Sequence, residues 1–133
     1  MPFCHAILPL QVLSVRVLWS ESDSRRIPES KLYEQELHKL GLQAIVPDAG
    51  VQSENVMKAV FGIKAGTDTH ISEDLLAKAG EHLVVNGAEV IILGCTEIPL
   101  AFNPARARVP AVDATKVLTE RSIKLYRELA GKE

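Results

Sequence analysis

Cys95 lies in the run Val90-Ile91-Ile92-Leu93-Gly94-Cys95-Thr96-Glu97-Ile98-Pro99-Leu100, and its placement there invites chemistry. Four apolar residues in succession read as a fully buried strand. Gly94 then lets the backbone turn tightly, and the cysteine follows with two polar neighbours. In open parallel α/β sheets, ligands bind beyond the carboxyl ends of the strands, so the spacing sets Cys95 where a substrate would lie. A thiolate serves as a base when its pKa falls from the usual ~8.5, which a helix N-terminus or a nearby cation can bring about. Pro99 permits only a short helical turn after the cysteine. The free N–H groups of such a turn can favour charge on sulfur and hold a carboxylate. The competing reading is a buried cysteine acting as a small hydrophobe.

The motif also carries a resemblance. Leu93-Gly94-Cys95-Thr96-Glu97-Ile98-Pro99-Leu100 resembles the second cysteine motif of the aspartate/glutamate racemase family, the cofactor-independent amino-acid racemases. Glu97 after the Cys-Thr pair is similar to the aspartate racemase branch, where glutamate racemases carry His. Further segments fall in the family's order. Leu32-Tyr33 through Leu40-Gly41, followed by Ala44-Ile45-Val46-Pro47-Asp48, resembles its helix, glycine and "V-P" strand. Phe61-Gly62-Ile63-Lys64-Ala65-Gly66 resembles its Lys-x-Gly segment. Asn86-Gly87-Ala88-Glu89 leads into the cysteine strand, and Val109-Pro110-Ala111-Val112-Asp113-Ala114-Thr115 resembles its last strand. The likeness runs from about Lys31 to Leu129.

An amino-acid α-proton is very weakly acidic, so its removal needs a close base and stabilisation of the developing carbanion. The resemblance implies that one cysteine abstracts this proton and a second, on the opposite face, returns one. It makes Cys95 the catalytic residue, with Thr96, Glu97 and Lys64 as substrate-binding residues and no metal or other cofactor. Thr96 would hydrogen-bond the substrate's α-carboxylate; its other reading is an ordinary cap of the following turn. Glu97 would orient the ammonium group or act as a supporting base; alone it reads as a first-turn carboxylate favoured by the helix dipole. Lys64 would reach a distal acidic group of the substrate, and by position alone it is a favourable charge at a helix end. Asp113 ends a strand on the presumed ligand side, and capping explains it equally.

Two departures accompany the likeness. The family draws its two cysteines from two similar lobes, and 133 residues match only the lobe with the second cysteine. Cys4, in Pro2-Phe3-Cys4-His5, lacks the Asn-Thr expected after the first one. Before Lys31 the family has a strand and a Gly/Thr-rich loop, where this chain reads Trp19-Ser20-Glu21-Ser22-Asp23-Ser24-Arg25-Arg26-Ile27-Pro28. The expectation is an aspartate/glutamate-type racemase in truncated form with one catalytic cysteine, acting on a small amino-acid or dicarboxylate substrate. The alternative is a non-catalytic α/β remnant that binds a small carboxylate or self-associates. In the two-lobe family the terminal helix packs on the first lobe, so Val117, Leu118, Leu125 and Leu129 would lose their cover here. Self-association, or a missing N-terminal lobe as partner, is therefore expected.

Composition narrows the classes. The 47% apolar and 24% charged content is that of an ordinary globular protein. A net charge of -2 gives no case for nucleic acid or anionic membrane. No apolar run approaches the ~20 residues that span a bilayer. The apolar segment from Ala6 to Leu18 lacks a basic leader and a small-residue cleavage site, so it does not read as a signal peptide. Two distant cysteines make no disulfide framework, and a cytoplasmic location with reduced thiols follows. His5, His38, His70 and His82 lack the spacing of a zinc site.

The elements that must position Cys95 alternate. Val12 to Trp19 reads as a strand, and Ser20 to Ser30 as a polar loop broken by Pro28. Glu29 or Ser30 starts a helix carrying Leu32, Tyr33, Leu37 and Leu40, with Gly41 as its C′ residue. A short strand over Leu42 to Val46 follows. Ser53 then caps a helix through Val56, Val60 and Ile63 to Gly66. Thr69 or Ser72 caps the next, through Leu75, Leu76, Ala79 and Leu83, stopping before Gly87. Val90–Leu93 and Val109–Val112 are the last strands, and Asp113 or Thr115 caps a final helix. Alternation of this kind predicts a four-stranded, mainly parallel sheet with helices on both faces, a flavodoxin-like lobe. One domain is expected, with residues 1–30 an atypical segment holding one strand and residues 31–133 the racemase-like lobe.

Overall fold

The computed structural model describes residues 14–18, as backbone, and residues 35–131. Cys4, His5, Leu32, Tyr33, the caps Glu29 and Ser30 and the boundary at residue 30 lie outside the described residues. The strands are β1 (Ser14–Leu18), β2 (Gln43–Ile45), β3 (Val90–Leu93) and β4 (Ala111–Asp113). They pair in the order β2-β1-β3-β4, with every described pair parallel. Leu18 stands beside Leu93 and Leu93 beside Asp113, so β1, β3 and β4 end together and Cys95 emerges from that end. The expected α/β class with a parallel sheet is the one adopted.

The helices are α1, described over 35–39, then α2 (49–64), α3 (Thr69–Val85), α4 (Ile98–Ala101) and α5 (Ala114–Ala130). α2 is one unbroken helical stretch whose middle, Gln52–Met57, is wound as a π-helix. It begins after Asp48, earlier than expected, so Ser53 is an interior residue and not a cap. α3 is capped by Asp68, whose carboxylate accepts from the His70 N–H at 2.9 Å. Neither Thr69 nor Ser72 has that role. Instead Ser72 is buried and donates to the Ala59 carbonyl of α2 at 3.2 Å.

α2 and α3 are joined tightly. The Gly66 N–H donates to the Ile63 carbonyl and the Thr67 N–H to the Gly62 carbonyl, while Gly66 takes φ +69°. These are the two bonds and the left-handed residue of a Schellman end. Gly62 lets the helices approach, since a Cβ there would lie 2.8 Å from Thr67 Oγ1 and 3.0 Å from Ser72 Oγ. Gly41 (φ +72°) closes α1 in the C′ manner expected of it.

Among the described residues one core lies between these helices and one face of β3. Val56, Ala59 and Val60 of α2 meet Leu76, Ala79 and Leu83 of α3, with Ile91, Leu93, Ile98, Ala101 and Phe102 completing it. Burial along β3 alternates: Ile91 and Leu93 are buried, Val90 and Ile92 only partly. The fully buried strand expected from its unbroken apolar run is therefore corrected. β4 begins at Ala111, later than expected. Its first contact is made through Pro110, whose carbonyl accepts from the Ile91 N–H at 2.9 Å. Asp113 caps α5, accepting from the Lys116 N–H at 3.1 Å. No residue of α5 is buried. Among the described residues no helix is long and apolar enough to cross a membrane.

Candidate active site

One residue, Gly94, separates Cys95 from Leu93, the last paired position of β3, in the loop expected to hold it. Gly94 is not among the residues of positive φ, so the loop turns without left-handed geometry. The sulfur is half-buried, with the apolar core behind it. The Ile98 N–H donates to Cys95 Sγ at 3.4 Å. Pro99 sits in the first turn of α4, where its missing N–H costs no helical bond; the helix ends at Phe102, which is extended, and no side-chain oxygen caps its start. Sulfur thus occupies the place where a capping oxygen would accept the first free N–H. Ile98 anchors this arrangement, because its side chain is fully buried. It was not among the expected site residues. A buried apolar position immediately after a polar pair reads only as core.

Thr96 and Glu97 face each other. The Thr96 hydroxyl donates to Glu97 Oε2 at 3.0 Å. The other oxygen, Glu97 Oε1, lies 3.8 Å from Lys64 Nζ. Lys64 is the last residue of α2, and the Schellman turn that follows it fixes where that helix ends. Partial burial pushes the Glu97 carboxyl up. The Thr96 hydroxyl, its own backbone N–H, the Lys64 ammonium and the Cys95 thiol together outweigh this and hold it below the ordinary carboxylate value. Glu97 is accordingly a carboxylate at neutral pH, its side chain about a quarter exposed. Cys95, Thr96, Glu97 and Lys64 therefore form one cluster at the carboxyl end of β3. Asp113, spent on the α5 cap, does not join it.

The segment after α4 is tied back to α3. Asn103 Nδ2 donates to Glu73 Oε1 at 3.1 Å, and Arg106 Nη1 reaches both Glu73 Oε1 at 3.3 Å and Asp74 Oδ1 at 2.7 Å. These bonds hold the far side of the cysteine loop against the helix layer. Arg108 pairs with Glu81 in the same way. Among the described residues no three His, Cys, Asp or Glu side chains cluster as metal ligands.

A family model described as Asp/Glu/Hydantoin racemase matches residues 24–121. The chain belongs to the Asp/Glu/Hydantoin racemase family. A curated relative, the "Uncharacterized protein in pnlA 3'region" of Pectobacterium carotovorum subsp. carotovorum, is 31% identical over 100 residues, covering 74% of this chain and 65% of its own. Among solved structures, an aspartate racemase homologue from Pyrococcus horikoshii OT3 superposes with a TM-score of 0.69 at 25% identity. That match covers 90% of this chain and 50% of the other. The Picrophilus torridus aspartate racemase gives 0.58 at 21% identity, over 75% of this chain and 39% of its own; at that identity the likeness is one of fold. The chain spans half or less of these solved racemase-family structures.

Proposed function

We propose that this chain supplies the Cys95 half of an amino-acid racemase site of the aspartate/glutamate type. The observation that carries the reading is the cluster itself. A half-buried thiol accepting a backbone N–H stands beside a carboxylate that Lys64 of another helix approaches. The Cys95 thiolate removes the substrate's α-proton, forming an S–H bond as the C–H pair moves onto the α-carbon and carboxylate. The Thr96 backbone N–H donates to that carboxylate, which takes up the developing charge. Lys64 binds a distal acidic group, and Glu97 faces the ammonium group. The thiol then returns its proton to the carbon. No redox step or cofactor enters this reaction.

Return from the same side restores the starting configuration, so inversion needs an acid on the opposite face, supplied by a second lobe. The test is incubation of the chain with L-aspartate in deuterium oxide, reading α-deuteration and configuration on one sample. Exchange without inversion supports the half-site. D-aspartate formed by the pure chain would show a second base within it. No exchange at all would favour a carboxylate-binding domain without turnover.

A further inference from the structure

α5 is long, capped and uncovered. Leu118, Leu125 and Leu129 are each more than half exposed, at 67%, 53% and 58%. With Thr115 and Ser122 they recur at alternating steps of three and four residues, the spacing of a coiled-coil seam. Two hydroxyls, one on the seam and one beside it, need no outside partner. Ser122 donates to the Leu118 carbonyl at 2.8 Å, and the flanking Thr119 donates to Thr115 at 2.9 Å. Burying them therefore strands no donor.

The charges beside the seam select the occupant and its direction. Arg121 and Glu128 both lie on one flank, one heptad apart. Arg121 has no ion-pair partner among the described residues. Glu128 approaches Lys124 of its own helix only at 4.0 Å. We infer that α5 pairs antiparallel with α5 of a second copy of this chain, Leu118 against the second copy's Leu129 and Leu125 against its Ser122. In that register Arg121 of each copy meets Glu128 of the other, giving two identical ion pairs about the two-fold axis. The small serine leaves room for the leucine opposite. A parallel pair would set Arg121 beside Tyr126, leave Glu128 without a cation opposite, and crowd the two sheets at one end.

The antiparallel pair has a functional consequence. Each sheet lies at the start of its own α5, so the two Cys95 loops are held apart by about the helix length, roughly 25 Å. Association through α5 brings no second thiol to face Cys95.

The interface is small and belongs to the weak class, so sedimentation equilibrium is run under reducing conditions at about 100 μM chain. Wild type should dimerise. Arg121→Glu and Glu128→Arg should each weaken self-association about tenfold or more, since each places like charges at both pair positions. An equimolar mixture of the two variants should recover wild-type association, because the mixed dimer regains both pairs. Circular dichroism checks that each variant keeps its helix content. A monomeric wild type, a dimer indifferent to the single reversals, or variants that fail to rescue one another would each overturn the inference. Monomer together with capture of a separate lobe on the α5 face would assign that face to the lobe instead.

Discussion

Lys64 Nζ stands 3.8 Å from Glu97 Oε1 while Glu97 Oε2 accepts from Thr96. One carboxylate thus joins the end of α2 to the cysteine loop. In the proposed reaction a substrate's distal carboxylate would take over the lysine. Lys64→Met should therefore weaken binding of succinate roughly tenfold, the worth of one charge-assisted bond, and leave acetate binding nearly unchanged. Titration followed by nuclear magnetic resonance measures both. Equal losses for the two ligands would remove Lys64 from distal-group recognition.

Ile98 couples packing to chemistry. Its side chain is fully buried and its N–H is aimed at Cys95 Sγ. Ile98→Ala should cost about 2–5 kcal/mol in denaturant unfolding, as large cavities in cores do. Ile98→Val should cost about 1 kcal/mol and keep the alkylation rate of Cys95 close to wild type, because the backbone donor is unchanged.

β3 and its cysteine loop were legible because an apolar run ended by Gly and polar residues has few alternatives. The rest was less so, for reasons that can be named. Pro47 and Asp48 read as the end of a strand, and Gly50 disguises the first turn of α2, so sequence pattern starts the helix later than the structure does. Asp68 and Thr69 are both good caps, and only the geometry distinguishes them. The alternating burial of β3 depends on which helices cover the sheet, and no local pattern in Val90–Leu93 encodes that. Lys64 and Glu97 were each named through the resemblance to known racemases, but their pairing depends on the Schellman turn after α2 and the approach of α2 to α4.

Acid should unfasten the segment behind the loop. Bonds from Asn103 and then Arg106 hold the Glu73 carboxyl below its ordinary value of 4.5. A carboxylate depressed in the folded state stabilises the fold above its unfolded pKa, and that contribution is lost as pH falls through the folded one. Thermal melts of wild type should therefore lose stability below about pH 4.5. Arg106→Gln should flatten part of that dependence. An unchanged acid limb would show that Glu73 is not among its causes.

Ligand should shield the cysteine. If the cluster holds a carboxylate over the sulfur, L-aspartate at saturating concentration should slow iodoacetamide labelling of Cys95 severalfold. Mass spectrometry of the digested chain separates Cys95 from Cys4, which serves as internal control. Slowing of both thiols alike would point to a general effect of the ligand on the reagent.

The account stands or falls on whether Cys95 moves an α-proton. Wild type, Cys95→Ser and Cys4→Ser are each incubated with L-aspartate in deuterium oxide, and loss of the α-proton resonance is followed. The account predicts exchange by wild type and Cys4→Ser, with the Cys95→Ser rate lower by on the order of 10²-fold or more. Exchange that survives Cys95→Ser, or its absence from a folded wild-type chain that binds aspartate, would contradict it.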